Sequence, residues 1–366
     1  MKVISIGSDK NLFIEGSPVR ARMAFYGQAC DELHIIAPGV GEVQKISQNV
    51  FLHPTGTTNP CMRIRRAVAV GKSLSSCDLI TAQDPFEYGI AALRLGKKLG
   101  LPVELQVHTD IGSPYFGKGF SGQEIRNKLR MIGVASRLRR AASVRVVSER
   151  VAKVVHAMGV APERISVLPM FVATDQTPRV QRAPSTKEKV ILMVGRLEKE
   201  KDYPTALSAF ARVHAQMPDA KLYIAHKGSQ RSHIFTLARK YNLENAIIFL
   251  GFVQDLTPQL TEAHVFLHTS RYEGFCASMA EAALAEVPIV STNVGIAGTV
   301  LRDEEHGHIV PVGDVQKIAN ALIDTLAHPQ RAHERALLAA GVVSQLLLSS
   351  ELYVAKLKQN WSAIKK

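Results

Sequence analysis

The sequence is poor in residues that staple a fold or cross a membrane. Its four cysteines, Cys30, Cys61, Cys77 and Cys276, show no C-x-x-C spacing. That excludes a disulfide framework and a zinc site of paired cysteines, and leaves reduced thiols as the plain reading. No apolar run approaches the roughly 18 residues that span a bilayer. The N-terminus, MKVISIGSDKN, has only a very short apolar core before charge appears, so it reads as a first β-strand and not as a signal peptide. No G-x-G-x-x-G follows that strand, which disfavours a simple nicotinamide dehydrogenase. No solenoid period and no low-complexity tract is present.

What is there suits two domains. The 366 residues are 46% apolar, enough for substantial cores. The formal net charge is +13, unevenly spread. Up to Val172 there are 23 Lys+Arg against 13 Asp+Glu, a net of +10; the remainder has 22 against 19, a net of +3. Anionic lipid, a phosphorylated acceptor or nucleic acid would suit the first half.

Short β-branched runs alternate with helical segments, the pattern of α/β domains with parallel sheets. The first series of expected strands is 2–6, 33–37, 50–53, 79–82, 103–107, 144–148 and 165–168, with helices at 18–30, 62–74, 85–99, 123–140 and 150–158. Asp84 is expected to cap the third helix, with Pro85 in its first position. The second series is 190–194, 222–225, 247–250, 265–268, 289–291 and 309–310, with helices near 203–217, 230–241, 277–286 and 315–326. Residues 1–172 thus read as one Rossmann-like domain and 189–349 as another. The aperiodic stretch 173–188 reads as a linker. Residues 350–366, which hold the lone Trp361, read as a terminal helix packing back on the first domain. Ligands of such sheets bind outside the carboxyl ends of the strands, so the chemistry is expected in strand-to-helix loops facing a central cleft.

Two loops carry the strongest candidates. In VILMVGRLEKEKD a buried strand ends at Gly195, Arg196 and Lys201 follow, and Asp202 can cap the next helix. Two cations beside a helix start suit a diphosphate. The plainer alternative is a solvated, salt-bridged loop, because Glu198 and Glu200 interleave. In TSRYEGFCASMAEAALAEVP, Glu273 and Glu281 stand eight positions apart across a turn and a helix start. Gly274, Ala277, Ser278 and Ala280 keep that backbone approachable.

In combination these motifs resemble the family 4 glycosyltransferases. The order is strand–G-R-L-x-x-x-K, strand–x-x-x-x-E-G-F-x-x-x-x-x-E-A, V-P-I-V-S-T-N-x-G, then H-I-V-P-V-G-D. The resemblance covers roughly Val190–Leu326 strongly. It covers the first half more loosely, through Gln106–Asp110, VVSERVAKVVHAMGV and ISVLPMFVATD. It implies the GT-B fold and a retaining hexosyltransferase taking its sugar from a nucleotide-diphosphate sugar. The acceptor would be a glycan, a lipid-linked molecule or a small molecule. It implies that Arg196 and Lys201 hold the diphosphate, Glu273 the sugar hydroxyls and Glu281 the ribose. The backbone of Gly274, Phe275 and Cys276 would meet phosphates and sugar, and His108 would lie by the reacting sugar. Asp110 and Gly16 are candidates on the acceptor side. No D-x-D motif stands at a matching place, and the resemblance implies no metal and no cofactor beyond the donor itself.

Three departures bear on this assignment. The first turn is Gly7-Ser8-Asp9 where many members are glycine-rich. His226-Lys227-Gly228-Ser229 replaces a G-x-G-type turn. Gly295-Ile296-Ala297-Gly298-Thr299 lacks a glutamate frequent there. A GT-B sugar-nucleotide epimerase and a non-catalytic nucleotide-sugar-binding scaffold therefore stand as alternatives.

Lys118–Lys153 is the densest basic stretch, ten Lys+Arg against Glu124 and Glu149, with Ile125, Leu129 and Ile132 at i, i+4, i+7. It reads either as a domain helix with a solvated basic face or as a contact with an anionic membrane surface. No aromatic interleaving supports nucleic acid. The expected location is the cytoplasm, with peripheral attachment at the inner face of the membrane.

Overall fold

The computed structural model describes residues 1–59, 62–119, 122–172 and 188–364. The chain divides into two compact units, Met1–Pro169 with Ser350–Lys366, and Met170–Ser349. The linker expected at 173–188 lies outside the described residues except for Glu188.

The first unit is built on eight strands: β1 (Lys2–Ile6), β2 (Glu32–Ala37), β3 (Gln44–Ser47), β4 (Val50–Pro54), β5 (Leu79–Ala82), β6 (Val103–Val107), β7 (Ser143–Val146) and β8 (Ile165–Val167). Their spatial order is β3-β4-β2-β1-β5-β6-β7-β8, parallel throughout except for the β3–β4 pair. The sheet is covered by α1 (Pro18–Gly27), α2 (Arg63–Gly71), α3 (Glu87–Leu99), α4 (Gly122–Met131), α5 (Val134–Arg140) and α6 (Glu149–Ala157). Covering both faces of a parallel sheet makes its central strands apolar runs, which is why β1 and β5 were legible.

The second unit holds β9 (Lys189–Val194), β10 (Ala220–Ala225), β11 (Ile247–Gly251), β12 (Val265–His268), β13 (Ile289–Thr292) and β14 (His308–Val310). All are parallel, in the order β11-β10-β9-β12-β13-β14. This is the doubly wound 3-2-1-4-5-6 order, whose direction reverses between β9 and β12. The helices are α7 (Tyr203–Gln216), α8 (Arg231–Lys240), α9 (Thr257–Glu262), α10 (Ala277–Leu284), α11 (Val315–Ala327) and α12 (Pro329–Leu346). The last helix, α13 (Ser350–Ile364), belongs to the first unit. Its Tyr353 stacks on Tyr26 at 5.7 Å between ring centroids, and its hydroxyl accepts from buried Arg145 at 2.9 Å. Among the described residues no single helix is long and apolar enough to cross a membrane.

Four local expectations need correction. The helix expected over 123–140 is two, because Gly133 sits at φ +74 between α4 and α5. Pro85 is not in α3, which begins at Glu87. Asp84 does serve its start, accepting from the Phe86 and Tyr88 amides at 2.7 and 3.4 Å. Strand β3 was missed because QKIS is short, polar and half-exposed at the sheet edge. Helices α9 and α12 carried no strong apolar stripe and were missed too.

Candidate functional site

The carboxyl ends of β9 and β12 adjoin at the reversal of the second sheet. Loops leaving these strands converge there by topology alone. After β9 the chain turns at Gly195, whose carbonyl accepts from the Tyr203 hydroxyl at 2.7 Å. A short 3-10 turn at Lys199–Lys201 then leads into α7. Asp202 stands at the helix cap in the left-handed conformation, φ +51. Its carboxylate accepts from the Thr205 hydroxyl and Arg271 instead of a helix amide. The turn aims Lys201 inward, and its ammonium pairs with the Glu273 carboxylate. Arg196 points outward, 63% exposed, and pairs with Glu200 at 2.7 Å.

Glu273 is the centre of a tight cluster. Besides Lys201, its Oε1 accepts from the Ser270 hydroxyl at 2.8 Å and lies 3.2 Å from His268 Nε2. Cys276 Sγ lies 3.4 Å from the same imidazole nitrogen. Burial resists ionisation of Glu273, but Lys201 and His268 outweigh it and hold the carboxyl well below the ordinary range. Burial likewise opposes charge on Lys201 and His268. On Lys201 the Glu273 carboxylate, and on His268 the Cys276 sulfur followed by Glu273, reverse this and raise both. The cluster is therefore ionised, with positive charge already seated on the carboxylate.

The turn Gly274–Cys276 lies beyond that carboxylate. Cys276 takes φ +76, unusual for a residue with a side chain, and begins α10. The amides of Phe275 and Cys276 have no acceptor among the described residues. The loop after β13 braces this turn. The Ile296 amide donates to the Phe275 carbonyl at 3.1 Å, and a Cβ on Gly295, at φ +58, would strike that oxygen. The loop after β10 is tied to the one after β9. Glu198 accepts from the Ser229 amide and hydroxyl at 2.9 and 2.7 Å, and a Cβ on Gly228 would collide with the Leu197 backbone. Glu281 lies on α10. It has no polar partner among the described residues, and burial pushes its carboxyl up to about 7.

Among the described residues, two groups of side chains have metal-ligand spacing: His268 with Glu273 and Cys276, and Asp303 with Glu304 and His308. In the first, the Lys201 ammonium already occupies the carboxylate. In the second, Arg331 and Arg335 pair with Glu304.

The first unit places His108 at the end of β6. Its Nε2 lies 2.8 Å from Gln106 Oε1. The Gln106 amide nitrogen faces Thr81 and Glu104, at 2.8 and 3.3 Å, so its oxygen must face the imidazole. Nε2 is therefore the protonated nitrogen, and Nδ1 is a bare acceptor with no partner among the described residues. Burial, then Arg145 and Arg22, lower the imidazole's pKa to about 3, so it is neutral at pH 7. Behind it, buried Glu104 Oε1 accepts from Thr81, Gln106 and, at 3.3 Å, the Trp361 indole. Asp110 accepts from the Gly112 amide at 3.0 Å, and burial raises its pKa. Gly16 adopts φ +72 just before the cap of α1 at Ser17, in open space. Gly7 is the confined glycine of that region, because a Cβ there would meet the Gln83 side chain.

The second unit thus brings Lys201, Glu273 and the 274–276 turn together, leaves Arg196 on Glu200, and gives Glu281 no polar partner among the described residues. His108, Asp110 and Gly16 belong to the first unit. Sequence reasoning missed His268, Ser270 and Gly295 beside Glu273, and Glu104 and Gln106 beneath His108. The one available signal was a carboxylate and an amide inside the apolar strand VELQV.

Comparison with known proteins fits this geometry. A family model described as Glycosyltransferase Family 4 matches residues 25–176, and one described as Glycosyl transferases group 1 matches residues 175–337. Together they span most of the chain, which belongs to the family 4 type of glycosyltransferases. Glycogen synthase of Mycobacterium tuberculosis is 32% identical over 174 residues, 47% of this chain and 42% of that protein. The chain thus matches less than half the length of that relative. Among solved structures, sucrose-phosphate synthase of Thermosynechococcus elongatus superposes with a TM-score of 0.84 at 19% identity, covering 100% of this chain and 99% of the other. Anabaena HepE, solved in complex with UDP-glucose, gives 0.79 at 17% identity, covering 99% of this chain and 100% of the other. The likeness to these structures establishes the GT-B fold.

Proposed function

We propose that the protein is a retaining glycosyltransferase that moves a hexose-type sugar from a nucleotide-diphosphate sugar to a glycan, lipid-linked or small-molecule acceptor. The carrying observation is the Lys201–Glu273 pair beside the unpartnered Phe275 and Cys276 amides at the reversal point of the second sheet. Those amides and Lys201 suit the diphosphate, and Arg196 would reach it after leaving Glu200. Glu273 is held ionised and so accepts from sugar hydroxyls. Glu281 would accept from the ribose. In the transfer step, the bond between the anomeric carbon and the diphosphate oxygen breaks. The acceptor oxygen bonds to that carbon on the same face, and its proton passes to the departing phosphate. Lys201 and the two amides oppose the charge growing on that leaving group. Neutral His108 would receive a hydroxyl hydrogen bond at Nδ1. No metal has a part in this proposal, because the Lys201 ammonium takes the cation's place on Glu273.

A thermal-shift panel of nucleoside diphosphates and their sugars is the test. Since Anabaena HepE was solved with UDP-glucose, the uridine series comes first. Stabilisation by one base, with product formed only when an acceptor is added, is the expected result. No response to any nucleotide would overturn the proposal. Binding with acceptor-independent isomerisation of the donor would replace it with an epimerase.

A further inference from the structure

Helix α4 is packed the wrong way round for a soluble domain. Its buried residue is Asn127, which donates to the Phe116 carbonyl at 2.8 Å. Its apolar residues face out. Ile125 is 45%, Leu129 63% and, one residue past the helix end, Ile132 70% exposed. Spaced at i, i+4 and i+7, these three lie on one side, opposite Asn127. Core packing in this segment falls instead to Val134 and Leu138 on α5.

The segment is also cationic. Arg126 and Lys128 flank the stripe and are exposed, as are Arg139 and Arg140 on α5. Arg126, Arg139 and Arg140 form no ion pair among the described residues. The guanidinium of Arg139 donates to the backbone carbonyl of Met158, which leaves its charge uncancelled. Three side chains are too little apolar area for a stable protein interface, which needs roughly 800 Å² per partner. Nucleic acid would leave them in water. An apolar stripe edged with Arg and Lys matches a helix lying in the headgroup layer of a charged bilayer.

We propose that α4 docks the protein onto an anionic lipid surface, with Ile125, Leu129 and Ile132 inserted below the headgroups and Arg126, Arg139 and Arg140 against the phosphates. This does not depend on the transfer reaction, since docking is read without donor or acceptor. The test is flotation of the full chain with vesicles of phosphatidylcholine alone or mixed with phosphatidylglycerol. Partition is expected to be at least about tenfold greater on the anionic vesicles and to weaken with added salt. The variant I125S/L129S/I132S should lose about tenfold or more of that partition with its thermal unfolding unchanged, because the three side chains are solvated. R126E/R140E should lose it as well. Equal binding to neutral vesicles, or undiminished binding by the triple serine variant, would overturn the proposal. So would failure to float combined with self-association that the serine variant abolishes, which would make α4 an interface between copies.

Discussion

Two polar centres sit at the carboxyl ends of parallel strands, one in each unit, and they are stabilised in opposite ways. Around Glu273 the groups are charged and cancel: an ammonium, a raised imidazole and a depressed carboxylate within one shell. Around His108 the imidazole is neutral. It is oriented through Gln106 by a buried carboxylate whose single oxygen collects three donors. Under the proposed function, compensated charge would be rearranged when an anionic ligand arrives, with Lys201 turning from Glu273 to phosphate. A hydrogen-bonded dipole chain cannot be redistributed that way. It fixes one nitrogen's lone pair in one direction. The contrast is between a centre that exchanges partners and a centre that holds still.

The largest effects should come from breaking the charged centre. Lys201→Ala and Glu273→Ala are each expected to lower the transfer rate about 10²–10³-fold. Each strands buried charge and should destabilise by roughly 3 kcal/mol. The double variant should regain part of that stability and none of the rate, a non-additivity read from initial rates and denaturation midpoints. Full turnover in either single variant would remove Lys201 and Glu273 from the site.

His108→Ala should slow transfer about 10–100-fold with little change in donor affinity. Because its imidazole is held neutral, with a pKa of about 3, it does not titrate between pH 5 and 9. The pH profile of the variant should therefore keep the shape of the wild-type profile. A lost acid limb would show that His108 takes a proton, contrary to its surroundings.

Legibility in the sequence followed the same division. Apolar strands, the order of motifs and the residues of the charged loops could be read, because burial of parallel strands and loop chemistry are local signals. Lys201 and Glu273 were singled out separately, but their pairing spans 72 positions and follows from the β9–β12 adjacency. His268 looked like the end of an apolar run. Glu104 and Gln106 make sense only once Thr81 and Trp361 arrive from β5 and α13. The outward stripe of α4 was visible as spacing. That its buried face is polar was not visible, since this depends on where the Phe116 carbonyl lies.

Glu281 sharpens the contrast, being a carboxyl that has neither kind of support. Burial pushes it up to about 7 from an ordinary 4.5. In the proposed role, only its ionised form would accept from both ribose hydroxyls. Donor affinity should therefore rise by up to about tenfold between pH 6 and 8, and Glu281→Gln should flatten that slope. Stability runs the other way. The folded carboxyl keeps its proton to higher pH than the unfolded one, so unfolding free energy falls as pH rises from about 4.5 to about 7. Calorimetry of the ligand-free protein should show that fall in the wild type and lack it in the glutamine variant.

The smallest expected effect tests whether the still centre is held from α13. Trp361→Phe keeps the ring packed, at 2% exposure, and removes one of three donors from Glu104. A lost hydrogen bond to a buried group should lower stability by about 0.5–1.5 kcal/mol. Thr81 and Gln106 remain on the carboxylate, so the loss belongs at the low end. The Gln106 amide keeps its own orientation through Thr81, so His108 should be disturbed only slightly, with the rate falling about two- to fivefold. Glu104→Gln in the Trp361→Phe background separates the two readings. If the indole hydrogen bond to Glu104 is what Trp361 contributes, the second substitution should cost less stability than it does alone, measured in a double-mutant cycle. Additive losses would mean that Trp361 contributes packing alone, and that the order at His108 is set entirely within β5 and β6.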